Sequence, residues 1–153
     1  MESNKDAEPL YYLAMAYHKI ATGDFFDALH YFELLPPEKI LEDELQQIAG
    51  VAYKLEDYDL AKACLAKLTE FANLYVPQYA KLLKLLGQEE EAIHCYTEFL
   101  ENNPEDVFIW NNLGILYFDI GASEAAKIAF EMTLSKDIQN QQAKDYLEKI
   151  AAA

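Results

Sequence analysis

Apolar residues recur at three- and four-residue spacing along nearly the whole chain, in stretches broken by glycine, proline or a polar cluster. The pattern is clearest from Asp106 onward, in DVFIWNNLGILYFDIGASEAAKIAFEMTLSKDIQN. Trp110, Leu113, Gly114 and Tyr117 fall at i, i+3, i+4 and i+7, one stripe of a helix. Gly121 interrupts the stripe, and Ala125, Ala126, Ala129, Phe130, Thr133 and Leu134 form a second one. The stretch predicts a helix, a tight turn and an antiparallel helix. Gly114 and Ala126 are expected to face each other so that the backbones approach closely, with Trp110, Tyr117 and Phe130 filling the flanks.

The same order recurs upstream. Gly87, Ala92, Tyr96 and Pro104 precede Gly121, Ala126, Phe130 and Ile138 by 34 residues each, and Tyr79-Ala80 and Leu83 match Leu113-Gly114 and Tyr117. Earlier still, Tyr58, Ala61 and Leu65 follow Ile48, Ala49 and Ala52, with Glu56 in place of the turn glycine. The first copy has Gly23, Phe25, Ala28 and Phe32, preceded by Leu10, Leu13, Ala14 and Tyr17, with a turn two residues longer than the norm for such a repeat. This order of residues resembles the tetratricopeptide repeat, a helix-turn-helix unit of 34 residues. Thr133 stands where the family has alanine, and Ile138 where it has proline. The resemblance covers nearly the whole chain. It implies an all-α fold, a right-handed superhelical array of about four helix-turn-helix repeats plus a C-terminal capping helix, its concave side lined by the first helices.

The expected organisation is a flexible N-terminus over 1–7 and a single domain over 8–150. Repeats fall at about 8–37, 38–72, 73–106 and 107–140, and a capping helix at 140–150. Residues Ala151-Ala152-Ala153 read as a cloning scar or a plain helix end. Pro9 suits a first helical turn. Asp24 and Asp57 are expected to cap the second and fourth helices, and Ser123 the eighth. Pro36-Pro37 ends the second helix, and the third is expected from about Glu38 to Leu55. Pro77 places the start of the fifth helix at or just before itself and leaves 72–76 as the longest loop. Gln88-Glu89-Glu90-Glu91 opens the sixth, where acids complement the helix dipole. In the final helix, Ala143, Tyr146, Leu147 and Ile150 form one apolar stripe on a charged background, suited to covering the exposed end of a stack.

Charge narrows the partners. Of 153 residues, 27 are acidic and 12 basic, for a net charge of −15, and every basic residue is lysine. An acidic chain is repelled by nucleic acid and anionic membranes, and the lack of arginine removes the bidentate readers of phosphate and guanine. No apolar run reaches the length of a membrane span. The polar start, MESNKDAEP, lacks the marks of a secretory signal, and a cytoplasmic setting is expected. The partner is therefore expected to be a protein or peptide, with no nucleic acid and no membrane insertion. The sequence leaves the oligomeric state open. Cys64 and Cys95 fall at equivalent places in successive repeats and read as small buried hydrophobes.

Little points to catalysis. His18, His30 and His94 are widely separated, with no carboxylate or cysteine at ligand spacing. Phosphate-binding and nucleophile-elbow motifs are absent, so neither an enzyme activity nor a cofactor is expected. The resemblance instead implies a groove. Carried over by position, the first repeat offers Tyr11, Tyr12, Met15, His18 and Lys19, and the second Gln46, Gln47, Gly50, Tyr53 and Lys54. The third offers Leu74, Pro77, Gln78, Lys81 and Lys84, and the fourth Phe108, Asn111, Asn112, Ile115, Phe118 and Asp119. Amides in this set can bond a peptide backbone, while aromatic residues and methionine can take its side chains. Some family members grip a chaperone's C-terminal carboxylate with lysines, asparagines and an arginine. Here those places hold Tyr11 and Met15, and Leu74 and Gln78, so that clamp is missing. The expected function is a non-enzymatic module binding a peptide or helical segment. The alternatives are a chaperone similar to those of type III secretion, or a self-assembling scaffold.

Overall fold

The computed structural model describes residues 7–153. Among them nine α-helices and two short 3-10 turns make up the regular structure, with no strand. The helices are α1 (Ala7–Thr22), α2 (Phe25–Glu33), α3 (Glu42–Lys54), α4 (Tyr58–Phe71), α5 (Val76–Leu85), α6 (Glu89–Asn102), α7 (Val107–Asp119), α8 (Ser123–Lys136) and α9 (Gln141–Ala152). They fall into two compact units, the first ending at Ala72 and the second running Asn73–Ala153. The first holds the hairpins α1–α2 and α3–α4. The second holds α5–α6 and α7–α8, with α9 after them. The loose segment expected over 1–7 lies outside the described residues except for Ala7, which starts α1.

One turn geometry serves all four hairpins. Gly23, Glu56, Gly87 and Gly121 have φ of +82°, +60°, +70° and +78°. The N–H of each donates to the carbonyl three residues back, and the N–H after it to the carbonyl five residues back, at 2.8–3.2 Å. This pair of bonds satisfies carbonyls that a helix end leaves unpaired. It needs one left-handed residue, which glycine supplies without strain and glutamate does not.

Spacing about these turns is constant. Ala16, Ala49, Ala80 and Gly114 lie seven residues before the left-handed residue; Ala28, Ala61, Ala92 and Ala126 lie five after it. All eight are buried. The longer first turn read from sequence is therefore corrected. A turn of fixed geometry sets the register of α1 two residues later, so that Tyr12, Met15, Ala16 and Lys19 take the places of Trp110, Leu113, Gly114 and Tyr117. Ala14 is exposed, and Leu10 and Tyr17 remain 66% and 37% exposed.

The nearest side chain to Gly114 across the hairpin is Phe130. A Cβ on Gly114 would sit 2.7, 2.8 and 2.9 Å from three atoms of the Phe130 ring. The ring is fully buried and stacks on Tyr146 of α9, with centroids 4.9 Å apart and planes 11° from parallel. Tyr146, Leu147 and Ile150 close the apolar cluster of Ala126, Phe130 and Ala143. Helix α9 thus covers α7 and α8 as the capping-helix pattern predicts, and a fully buried side chain such as Phe130 contributes ~1.5–3 kcal/mol.

Several boundaries differ from expectation. The third helix does not begin at Glu38. Pro37–Lys39 is a 3-10 turn, Ile40 and Leu41 are extended, and α3 starts at Glu42. The start is marked by the Glu44 carboxylate, which accepts the Leu41 N–H at 3.1 Å. The loop before α5 tightens into a 3-10 turn over Asn73–Tyr75, with Pro77 inside the first turn of α5, where its missing N–H is harmless. Asp57 caps α4 by accepting from Leu60, as expected. Asp106 and Asn140 cap α7 and α9 in the same way. Asp24 makes no such bond, because its carboxylate is taken by Lys19 at 2.8 Å. Ser123 is the first residue inside α8, and Ala122 holds the cap position. Among the described residues no helix is long and apolar enough to cross a membrane.

Candidate functional site

The second unit contains a cleft of about 440 Å³ between α5 and α7. Helix α5 supplies Pro77, Gln78, Lys81 and Lys84, which recur at helical spacing on one face. Helix α7 supplies Phe108, Asn112 and Ile115 by the same rule. The buried residues Ala80, Tyr96 and Leu116 also line it. Phe108 is 61% exposed and so offers a ring to a ligand at little structural cost. Gln78 and Asn112 can donate to and accept from a peptide backbone. Burial pushes the Tyr96 hydroxyl up to about 12, so it stays neutral at physiological pH. Lys84 pairs with Asp119, the last residue of α7.

Two residues expected in the groove turn elsewhere. Phe118 packs edge-on against Tyr146 at 5.0 Å and belongs with the cluster beneath α9. Asn111 is buried, its amide nitrogen donating to Gln142 of α9. The Asn111 Oδ1 is buried without a partner, which carries a desolvation cost of ~1–3 kcal/mol. Leu74 is exposed but does not line the cleft.

In the first unit, Gln46, Gly50, Tyr53 and Lys54 lie exposed on α3, and Gln47 is half-buried. The Tyr53 ring meets Tyr58 edge-on at 5.6 Å, and the Lys54 ammonium sits 4.5 Å over the Phe25 ring. The register correction moves the candidates on α1. Tyr11 contacts Tyr31 of α2 at 6.4 Å, the Tyr12 hydroxyl donates to Glu8 at 2.7 Å, and Met15 is half-buried. Lys19 is held by Asp24 and Asp27 at 2.8 and 2.7 Å, and the hydrogen bonds it donates to these carboxylates raise its pKa. The α1 residues in register with Gln46, Gln47 and Gly50 are Leu13, Ala14 and Tyr17. The chaperone-clamp places on α1 become Leu13 and Tyr17, which are again neither lysine nor asparagine. A recess of about 250 Å³, lined by Pro9, Leu10, Leu13, Leu35, Lys39, Leu41 and Glu44, escaped sequence reasoning. Its signal in the chain is the pair of apolar runs flanking Pro36-Pro37, but their meeting depends on the extended Ile40-Leu41 segment.

Reactive groups do not converge. His18, His30 and His94 are exposed. Burial pushes the Cys64 thiol further from the reactive thiolate. Among the described residues no group of three or more His, Cys, Asp or Glu side chains is arranged to hold a metal ion.

The hairpins, their shared turns and the small residues at their crossings define a tetratricopeptide-repeat protein. A family model described as the CABIN1 N-terminal domain matches residues 11–152, and the chain belongs to that family. Protein FlbA of Caulobacter vibrioides is 29% identical over an alignment of 138 residues that covers 80% of this chain and 22% of FlbA. The chain thus spans about a fifth of the length of that relative. Among solved structures, a tetratricopeptide repeat protein from Parabacteroides merdae superposes with a TM-score of 0.74 at 18% identity, covering 95% of this chain and 61% of that one. MamA protein superposes with a TM-score of 0.72 at 16% identity, covering 95% and 81%. The first repeat domain of Spaghetti (RPAP3), solved with an HSP90 peptide, gives a TM-score of 0.61 at 20% identity, covering 72% and 90%. At these identities the likeness is one of fold.

Proposed function

We propose that this chain is a non-enzymatic interaction module that takes a short segment of a partner protein against its first helices. The observation that carries this reading is the α5–α7 cleft. It brings together backbone-bonding amides (Gln78, Asn112), an exposed aromatic anchor (Phe108), apolar walls and two lysines. That set matches what an extended peptide needs, namely partners for its main chain and pockets for alternate side chains. One structural relative, the Spaghetti domain, is solved with a peptide, which supports the class of partner without naming it.

The test is selection of binders from a random peptide library, followed by affinity and melting measurements on two variants. Phe108→Ala should weaken binding by ~2 kcal/mol or more, as a hot-spot aromatic does, while keeping the wild-type melting temperature. Phe118→Ala should lower the melting temperature, because its ring packs on Tyr146 rather than facing solvent. A folded Phe108→Ala variant that binds the selected peptides at full strength would move the site out of this cleft.

A further inference from the structure

The cleft differs in sign from the chain that carries it. The protein has 27 acidic residues against 12 lysines, yet two lysines and no carboxylate line the cleft. Lys81 and Lys84 sit three residues apart on α5 and so project from the same face. Their situations differ. Lys84 is bonded to Asp119 on the rim, whereas Lys81 has no ion pair among the described residues. Asp119 also stands at an unfavourable place for an acid. It ends α7, where the unpaired carbonyls concentrate negative charge. Both members of the Lys84–Asp119 pair are about 40% exposed, with side-chain values of 43% and 36%, so water screens the bond and it can exchange.

From these observations we infer that the cleft selects an acidic, apolar segment, and that Asp119 is a built-in competitor for its carboxylates. This rests on the peptide-binding reading above. A ligand carboxylate bonds Lys81 directly, because nothing else occupies it. A second carboxylate takes Lys84 only by displacing Asp119, which then turns to solvent. Apolar ligand side chains lie between, against Phe108 and Ile115. The arrangement separates two tasks. Lys81 gives charge selection, while the Lys84–Asp119 bond lowers affinity for acidic chains, including this protein's own exposed acidic surface. Segments that offer one carboxylate and no apolar anchor gain too little to open the bond.

The probe is a short fluorescein-labelled peptide, Leu-Asp-Phe-Glu-Leu-Asp, beside its neutral isostere with Asn and Gln, followed by anisotropy at low and physiological ionic strength. The wild-type protein should prefer the acidic peptide, and the preference should shrink as salt rises. Asp119→Asn should tighten the acidic peptide by roughly two- to five-fold, the range of one exposed ion pair, and leave the neutral peptide unchanged. Lys81→Gln should abolish the preference, with an unchanged circular dichroism spectrum showing that the fold persists. Equal binding of both peptides overturns the charge selection while leaving the peptide cleft standing. An Asp119→Asn variant with wild-type affinity for the acidic peptide overturns the competitor. Binding of neither peptide overturns the cleft reading and this inference with it.

Discussion

Replacing Gly114 by alanine adds one methyl group where the structure has no room for it. The new Cβ would lie 2.7–2.9 Å from three Phe130 ring atoms, against ~3.5–4.0 Å for a comfortable carbon contact. The ring has no free direction to yield, since it is fully buried and stacked on Tyr146. Overpacking of this kind costs ~1–3 kcal/mol. Against it stands the helix preference for alanine over glycine, about 1 kcal/mol in a helix interior. Gly50 supplies the control. It also lies inside a helix, but nothing would come within 4 Å of its Cβ. Gly50→Ala should therefore collect the helix preference alone and raise stability by about 1 kcal/mol. Gly114→Ala should fall below Gly50→Ala by ~1–3 kcal/mol, or about 2–4 °C per kcal/mol in melting temperature for a chain of this length. Thermal denaturation followed by circular dichroism reads both. A third arm isolates the cause. In a Tyr146→Ala background the Phe130 ring can tilt, so the penalty at Gly114 should shrink, a coupling that only contacting residues show. If the two alanine variants melt together, the helices of this hairpin do not approach as closely as the ring contact requires.

Glu56→Gly should raise the melting temperature by a few degrees. It removes ~1–2 kcal/mol of left-handed strain at φ +60° and returns only part of that as unfolded-chain entropy; an unchanged or lower value would mean that the glutamate side chain stabilises the turn. Alkaline pH should weaken the second unit. Burial pushes Tyr79 and Tyr96 up to about 12, and in Tyr79 a 2.9 Å bond to Glu91 adds to the effect. The folded state then holds protons that the unfolded chain releases near pH 10, so stability is full below about 10 and falls between 10 and 12. Urea midpoints and tyrosinate absorbance across that range check it, and a flat profile refutes it.

The hairpins of α5 to α8 are legible in the sequence because Gly87 and Gly121 mark their turns and the alanines follow at a fixed distance. Helix α1 is harder, for Leu10, Leu13, Ala14 and Tyr17 show the helical spacing that the crossing residues Tyr12, Met15, Ala16 and Lys19 show two residues later. Apolar periodicity alone cannot choose between these stripes; the left-handed turn at Gly23 does. Half of the α5–α7 cleft follows from counting back from Gly87, the other half from Gly121. Asn111 and Phe118 satisfy the same count, yet α9 takes both, through Gln142 and Tyr146. That outcome depends on where a later helix docks, which no count along α7 contains. The start of α3 is similarly hidden, since Glu38 and Lys39 suit a helix locally and only the extended Ile40-Leu41 segment separates them from it.

Seven residues before each left-handed turn and five after it, the crossing places keep the same offsets in all four hairpins, and alanine or glycine fills every one. That constancy makes the hairpin, rather than the residue, the natural unit of inheritance. Copying or exchanging a whole hairpin preserves every offset, so a recombinant chain keeps each small residue at its crossing. Inserting one residue inside a hairpin rotates everything on one side of it by about 100° about the helix axis and moves the alanine off its partner. Such a lineage should lengthen and diversify by duplication, and tolerate insertions between hairpins, such as the stretch carrying Pro36-Pro37, far better than within them.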